Sequence, residues 1–254
     1  MSALIQIKGL CKAFFGKEIL RGVDLQLNKG ETMVVLGESG TGKSVLLKHL
    51  IGLMKPDTGE IYFKNERVDS LNEKQWLEKR KMMSFVFQSA ALFDSLSVFD
   101  NVAFPLRQQG MLEEKIANIV RERLHHVGLP HVDKLFPSSL SGGMKKRVSV
   151  ARALVLNPEI VLYDEPTTGL DPIMTAQISE MIIQMKKDYG VTSIVVSHDV
   201  KSALSVADVL VLLYEGKVYA KGTVEEFKNS KDSMVRQFLE GRSEGPIDPL
   251  RVRS

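Results

Sequence analysis

The chain has 254 residues, of which 44% are hydrophobic and 26% are charged, and its formal net charge is +3. These values are ordinary for a globular protein with a sizeable core, and the charge is too small and too dispersed to argue for a nucleic-acid partner. The single cysteine, Cys11, excludes an internal disulfide and a cysteine-based zinc site. No apolar run is long enough to span a bilayer, so we expect a cytoplasmic protein that works at a membrane only by docking on another subunit.

The first part of the chain predicts strands around one glycine-rich loop. Residues 4–7 alternate between apolar and polar, which predicts an antiparallel strand, and a second alternating run covers residues 19–27. Residues 32–36 form an apolar run that predicts a buried strand. Two further strands are predicted over residues 60–63 and 82–87.

The octapeptide at residues 37–44, Gly-Glu-Ser-Gly-Thr-Gly-Lys-Ser, fits the phosphate-loop pattern G-x-x-x-x-G-K-[ST] without a mismatch. It follows the buried strand and precedes an apolar helical pattern, which is the context that this loop requires. Backbone N–H groups of such a loop point at phosphate oxygens, and the new helix adds its positive N-terminal end. Lys43 then reaches the β- and γ-phosphates, and the Ser44 hydroxyl ligates Mg²⁺. The predicted nucleotide-binding residues here are Gly37, Glu38, Ser39, Gly40, Thr41, Gly42, Lys43, Ser44 and Val45.

Helical periodicity replaces the strand signals from residue 89 to residue 156, which predicts a helical subdomain inserted into an α/β core. The α/β pattern then resumes. The segments predicted after it are a strand over residues 160–163, a helix over 175–189, a strand over 193–196, a hairpin across Glu215 and Gly216, a helix over 224–239, and an extended tail over 241–254.

Two acids, Asp164 and Glu165, end the apolar strand over residues 160–163. The first can hold Mg²⁺ through water, and the second is free to orient or activate an attacking water. Taken alone, the pattern also fits a solvated strand end. Together with the phosphate loop it predicts a site of nucleotide hydrolysis, because both strands are expected to end at the same edge of a parallel sheet.

A third motif, Leu-Ser-Gly-Gly-Met at residues 140–144, resembles the signature of ATP-binding cassette (ABC) ATPases. Gln88 occupies the Q-loop position, residues 165–172 resemble the D-loop, and residues 195–199 resemble the switch-histidine loop. The resemblance covers residue 4 to about residue 239. It implies an α/β fold of the P-loop NTPase class: a RecA-like core, an antiparallel β subdomain and the inserted helical subdomain. The implied ABC ATPase domain is residues 1–240, with the helical subdomain at about 89–156.

The family resemblance also implies a role for each matching residue. Phe14 stacks on adenine, Gln88 links Mg²⁺ to the helical subdomain, and His198 contacts the γ-phosphate. Two substitutions relative to most of the family, Met144 for Gln and Phe14 for Tyr, remove neither a backbone donor nor the stacking face. The implied ligands are ATP and Mg²⁺. The implied site residues are Lys43, Gln88, Glu165 and His198 for catalysis, Phe14, the phosphate loop, Ser141, Gly142, Gly143 and Asp171 for nucleotide, and Ser44, Gln88 and Asp164 for metal.

Two classes of ABC protein share these motifs. One is the ATPase subunit of a transporter with a separate permease, and the other is a soluble ATPase of repair, translation or cluster assembly. The second class usually has a long coiled-coil insert, two fused cassettes or a distinctive linker, and the absence of these from the sequence favours a transporter. The apolar segment at residues 89–102 is where a transporter receives a short permease helix, although its apolar residues are also candidates for the core.

A closer resemblance is to the Mla-type ATPases, which drive phospholipid transport with MCE-domain proteins. It is carried by the run FQSAALFDSLSVFDNVAFPLR, by LSGGM with KKRVSVARAL, and by Glu244-Gly245-Pro246 in the tail. The resemblance implies a head-to-tail homodimer, an integral-membrane permease, an MCE subunit, a small STAS-domain protein and a place on the cytoplasmic face of the inner membrane. An amino-acid or phosphate importer is the alternative. Residues 145–147, Lys-Lys-Arg, are interpreted as solvated or interface charge rather than as a nucleic-acid patch.

Overall fold

The computed structural model describes residues 3–247 and divides into two compact units. The first unit joins the residues up to Trp76 with those from Ile194 onward, and the second unit runs from Leu77 to Ser193. The strands are β1 (Ala3–Phe14), β2 (Lys17–Asn28), β3 (Thr32–Leu36), β4 (Thr58–Phe63), β5 (Glu66–Arg67), β6 (Met83–Val86), β7 (Ile160–Asp164), β8 (Thr192–Ser197), β9 (Val209–Tyr214) and β10 (Lys217–Thr223). The α-helices are α1 (Lys43–Leu50), α2 (Glu73–Arg80), α3 (Val98–Gln108), α4 (Glu113–His126), α5 (Gly142–Leu154), α6 (Pro172–Tyr189), α7 (Val200–Val206), α8 (Val224–Lys228) and α9 (Ser233–Glu240).

An antiparallel sheet in the first unit has the strand order β2-β1-β4-β5. Strand β1 is longer than the four residues predicted for it and continues to Phe14. Its register with β2 shifts between Ile7 and Leu10, around Gly9, which has a φ of 57°. These irregularities move side chains out of strict alternation, and for this reason the alternating pattern in the sequence stops too early.

The strand that leads into the phosphate loop is fully buried. All five residues of β3 are inaccessible, and β3 pairs in parallel with β9 from Met33 opposite Val209 to Leu36 opposite Leu212. At its start, the carboxylate of Asp208 accepts a hydrogen bond of 2.6 Å from the Thr32 N–H. The neighbours within this unit run β10-β9-β3-β8. The parallel pairing places the loop after Leu36 at the carboxyl end of the sheet, where ligand sites of open α/β folds lie.

The second unit contains a parallel strand pair and the four longest of the described helices. Strands β6 and β7 are in register from Met83 opposite Ile160 to Val86 opposite Tyr163. Helices α3, α4 and α5 pack on one another, and α3 contains Pro105. The buried amide of Asn101 fixes the loop before α3 by donating to the Phe93, Leu96 and Ser97 carbonyls and accepting from the Phe93 N–H. A 3₁₀ turn over Pro137–Ser139 precedes α5.

The C-terminal region differs from its prediction. Residues 224–239 were expected as one helix and form two, α8 and α9, because Asp232 leaves the helical conformation and caps α9. Residues 241–247 turn back onto α9, and residues 248–254 of the predicted tail lie outside the described residues. Within residues 3–247, the longest helices are too short or too polar to cross a bilayer.

Candidate functional site

The phosphate loop closes tightly enough that two of its positions accept only glycine. A Cβ on Gly37 would lie 2.5 Å from the Leu213 carbonyl oxygen, and Gly42 has a φ of 99° with a would-be Cβ 2.8 Å from Leu20. Both values are shorter than any real Cβ contact. The loop therefore lies against β9 and β2 on one side, and its backbone is available to an incoming anion on the other.

Lys43 begins α1 and is only 5% exposed. Its ammonium donates to the carbonyl oxygens of Gly37 at 2.8 Å and Glu38 at 2.9 Å. The Thr41 hydroxyl also donates to the Glu38 carbonyl, at 2.9 Å. These bonds hold the cation across the loop at the N-terminus of α1, where a helix favours negative charge.

The other predicted residues of the loop are more accessible. Ser39 and Gly40 are exposed at its crown, and Ser44 and Val45 are half-buried in the first turn of α1. Phe14, the predicted adenine-stacking residue, is half-buried at the end of β1, with the Lys12 ammonium 5.5 Å from its ring centroid.

His198 lies directly after β8 in the first unit and is exposed. Its backbone is fixed on both sides, since Ser197 Oγ accepts from the Asp199 N–H at 3.0 Å and the Asp199 carboxylate caps α7. His198 and Glu38 line one cleft of about 650 Å³, whose other wall is α9 and the segment up to Ile247. The first unit therefore brings together a phosphate-loop residue and the predicted switch histidine.

The acidic pair lies at the end of β7 in the second unit. Asp164 is buried, and Glu165 is half-buried with a left-handed backbone, φ 51°. The Thr168 hydroxyl donates to Glu165 Oε2 at 2.6 Å, and the Thr168 N–H donates to the Glu165 carbonyl at 3.3 Å. A non-glycine residue in this conformation costs roughly 1 kcal/mol, and such strain is characteristic of functional positions. The orientation of the Glu165 carboxylate is thus set by Thr168 in the same loop.

Gln88 is exposed in a turn two residues beyond β6. Because β6 and β7 are parallel and in register, Gln88 and the acidic pair leave the sheet at the same edge. The turn continues through Ala90 and Ala91, both left-handed, and the Arg152 guanidinium donates to their carbonyls at 3.0 and 2.8 Å. Burial lowers the pKa of Arg152.

The signature residues form the N-terminus of α5. Ser141 is its N-cap and accepts from the Met144 N–H at 3.3 Å. Ser141 and Gly142 are exposed, whereas Gly143 is buried where a Cβ would collide with the terminal methyl of Met174. Asp171 caps α6, accepting from the Ile173 and Met174 N–H groups at 2.9 Å each, and is itself exposed.

Lys146 is a functional candidate that differs from its prediction as solvated or interface charge, because it is buried although its neighbours in sequence are basic. It is 6% exposed, and its ammonium lies 3.2 Å from the Glu165 carbonyl oxygen. Burial lowers the pKa of Lys146, and the nearby Glu165 and Asp164 charges oppose that shift. The helical repeat puts Lys146 on the face of α5 that carries Gly143 and Val150, which are both buried, but its basic neighbours in sequence point to a solvated face.

The three residues assigned to Mg²⁺ offer a hydroxyl, an amide and a carboxylate oxygen, which are the hard donors that this ion prefers. Ser44 belongs to the first unit, and Gln88 and Asp164 belong to the second. In the described part of the chain, no three His, Cys, Asp or Glu side chains cluster as an all-protein metal site. This chemistry fits an ion that also takes oxygens from phosphate and water.

Comparison with known proteins identifies the family. A model described as ABC transporter matches residues 20–168. The chain is 43% identical over 245 residues to the intermembrane phospholipid transport system ATP-binding protein MlaF of Haemophilus influenzae, covering 96% of this chain and 93% of the relative. It is also 43% identical over 248 residues to the probable ribonucleotide transport ATP-binding protein mkl of Mycobacterium leprae, covering 97% and 72%.

Solved structures agree with the family match. The dimeric structure of an ATP-binding cassette in a post-hydrolysis state, bound to ADP and Pi, has a TM-score of 0.80 and 30% identity to this chain, covering 87% of this chain and 98% of that one. The predicted fold class, α/β with an antiparallel sheet and a helical part, is confirmed. The roles of individual residues stay predictions. The chain belongs to the ABC transporter family, as one of its ATP-hydrolysing subunits.

Proposed function

We propose that this protein hydrolyses ATP at the interface of a head-to-tail homodimer and thereby drives a separate phospholipid permease. The observation that carries the hydrolysis is the Glu165 carboxylate at the end of β7, held by Thr168 beside the buried Asp164. A carboxylate fixed in this way can orient a water molecule and accept its proton as the water attacks the γ-phosphorus. The Lys43 ammonium and the N-terminus of α1 stabilise the phosphate charge that develops.

Mg²⁺, when bound with the nucleotide, would neutralise phosphate charge. Ser44, Gln88 and Asp164 would hold it, because their oxygens are suitable donors. Phe14 would stack on the adenine, and His198 would contact the γ-phosphate. These roles follow from the family resemblance, and the first unit supports part of them by placing His198 and Glu38 on one cleft.

The dimer is supported by the exposed start of α5. Ser141 and Gly142 present backbone donors to solvent at a helix N-terminus, which is suited to an anion but is separate from this chain's own phosphate loop in sequence. The similar cassette with ADP and Pi is a dimer. Binding of a second chain's nucleotide by these residues, with Asp171 nearby in sequence, would enclose two ATP molecules.

A separate permease is supported by apolar side chains that the second unit leaves exposed. Phe93 and Phe104 are 44% and 37% exposed, and their ring centroids lie 4.9 Å apart. Leu135 and Phe136, which shortly precede α5 in sequence, are also exposed. Exposed aromatic clusters of this kind mark partner surfaces. We place the protein on the cytoplasmic face of the inner membrane through this contact, without a nucleic-acid partner.

The substrate is proposed from the relatives. MlaF of Haemophilus influenzae is named for phospholipid transport, and this chain covers 93% of it. The Mycobacterium leprae relative, named for ribonucleotide transport, is covered to 72%. The closer match in length favours phospholipid as the substrate. The further partners would then be an MCE-domain subunit and a small STAS-domain protein, and the transport would maintain the lipid asymmetry of the outer membrane. A polar-solute importer is the second candidate, because its ATPase shares every catalytic motif.

The deciding experiment is to isolate the native complex from membranes and identify its subunits and bound small molecules by mass spectrometry. A permease with an MCE-domain protein and phospholipid supports the proposal. A permease with a binding protein for a polar solute, or a soluble complex without a permease, contradicts the phospholipid assignment. The same preparation with Glu165→Gln gives the background for ATP turnover.

A further inference from the structure

Helix α5 carries a buried ammonium little more than one turn behind the signature residues. Lys146 donates to the Glu165 carbonyl at 3.2 Å, and Asp164 and Glu165 are the charges that act on it. Burying an ammonium is costly unless it gains such partners. An apolar residue would fill this position at lower cost, so the contact requires an explanation beyond packing.

The contact is made to the peptide that sets the direction of the Glu165 side chain. Glu165 is left-handed, and its carbonyl accepts from the Thr168 N–H at 3.3 Å and from the Lys146 ammonium at 3.2 Å. Thr168 belongs to the same short loop, whereas Lys146 belongs to a different element. Lys146 therefore ties this strained peptide to a rigid helix.

The signature motif lies at the N-terminus of the helix that carries Lys146, α5. Gly143 lies one turn before Lys146 on the same buried face, packed against Met174, and Ser141 lies about 7.5 Å along the axis from Lys146. A displacement of the start of α5 therefore moves the Lys146 ammonium with it, because a helix of this length behaves as one body.

We propose that Lys146 is a positioning residue for ATP hydrolysis, which couples the contact made by Ser141–Gly143 on one nucleotide to the orientation of Glu165 at the other. The inference rests on the proposed function, since it needs a dimer in which the signature residues and Glu165 of one chain serve different nucleotides.

The test compares purified Lys146→Met, Lys146→Arg and Lys145→Met proteins with the wild type in the kcat and KM of ATP hydrolysis and in Tm. We expect Lys146→Met to lower kcat at least tenfold while the KM for ATP stays within twofold. Lys146→Arg, which keeps the charge and the donors, should restore kcat to within about threefold. Lys145→Met, on the half-buried neighbour, should behave as wild type.

Two results overturn the proposal. One is an unchanged kcat in Lys146→Met. The other is a loss of kcat that Arg does not restore and that accompanies a large fall in Tm, which would make Lys146 purely structural. If Lys146→Met does not fold, Lys146→Gln replaces it, because its amide can still donate but carries no charge. The proposed function fails separately, through a wild-type protein without ATP turnover or an active Glu165→Gln variant.

Discussion

The side-chain amide of Gln237 pairs with both backbone groups of Ile247, donating to its oxygen at 2.8 Å and accepting from its nitrogen at 2.7 Å. Both residues are buried, and the amide reaches the Arg242 carbonyl as well, at 3.4 Å. One polar side chain of α9 thus substitutes for a strand partner. The pairing holds Ile247 against α9, in the wall of the cleft that His198 also lines.

Replacing Gln237 by Leu should open the segment after α9 without unfolding the protein. The change leaves the buried N–H and C=O of Ile247 without the amide, at a cost of roughly 1–3 kcal/mol. Because this cost is confined to one segment, residues 241–247 should detach from α9 about 5 to 150 times more often than in the wild type. Trypsin cleavage after Arg242, followed by mass spectrometry under native conditions, measures the effect.

Gln184→Leu is the matched control for that experiment. Gln184 is exposed on α6 and donates to Asp188 one turn away, so its loss should leave cleavage after Arg242 unchanged. Equal cleavage rates for Gln237→Leu and the wild type would show that the amide does not hold the segment.

Gly42→Ala should weaken ATP binding more than it weakens the fold. The new Cβ would meet Leu20 at 2.8 Å and Ile19 at 3.1 Å in addition to its left-handed strain, so the loop must move. We expect at least a tenfold rise in the Kd for a fluorescent ATP analogue. Gly30→Ala separates the two effects, because Gly30 is also left-handed, φ 80°, but has no atom near the added Cβ. It should lower Tm alone, and a similar loss of affinity in both variants would contradict the argument.

Glu165→Gln should stop turnover and leave ATP binding intact. The amide keeps the shape of the carboxylate and an oxygen for the Thr168 hydroxyl, but it cannot accept the proton of the attacking water. We expect kcat to fall by about 10²–10⁴, with the Kd for ATP within twofold. Light scattering with ATP should show more dimer than the wild type. Glu180→Gln on the exposed face of α6 is the control, and normal turnover in Glu165→Gln would remove Glu165 from its proposed role.

Acid should destabilise the protein through His49. This histidine is fully buried on α1 with Nδ1 2.7 Å from the Val45 carbonyl, and burial lowers its pKa below the ordinary value of 6.5, with Lys12 acting in the same direction and Asp57 against it. Below pH 6.5 the unfolded chain binds a proton that the folded chain refuses. The free energy of unfolding therefore falls as pH decreases from 6.5 towards the lowered value, by at most about 1.4 kcal/mol per pH unit.

Urea denaturation between pH 7.5 and pH 5 measures this dependence. His49→Gln should remove it while keeping an uncharged polar group near Val45, and His125→Gln, at an exposed position, should retain it. An identical pH dependence in His49→Gln and the wild type would show that another group is responsible.

The phosphate loop was predictable because its eight residues are contiguous and match the pattern without a mismatch. The atoms that exclude a side chain at Gly37 and Gly42 belong to the distant residues Leu213 and Leu20, but the glycines themselves are visible in the sequence. The sequence motifs that carry the family were sufficient for the fold class for the same reason. Each is a short segment whose chemistry depends little on distant residues.

The burial of Lys146 and the return of residues 241–247 were not predictable in this way. Lys146 sits among basic residues in sequence, and only its contact with Glu165, nineteen positions away, makes burial tolerable. Gln237 is one polar residue on an amphipathic helix until Ile247 folds over it. Long-range partners decide both cases, and a single sequence does not display them.

In three of the predicted functional loops, one residue is also the N-cap of the helix that follows. Ser141, Asp171 and Asp199 cap α5, α6 and α7 through their side-chain oxygens. An alanine scan of these loops would therefore mix a loss of about 1 kcal/mol in helix stability with any loss of chemistry. Asparagine keeps a capping oxygen at all three positions while changing charge or reach. Activity lost on substitution by Asn can thus be attributed to nucleotide handling, and activity lost only on substitution by Ala belongs to the scaffold.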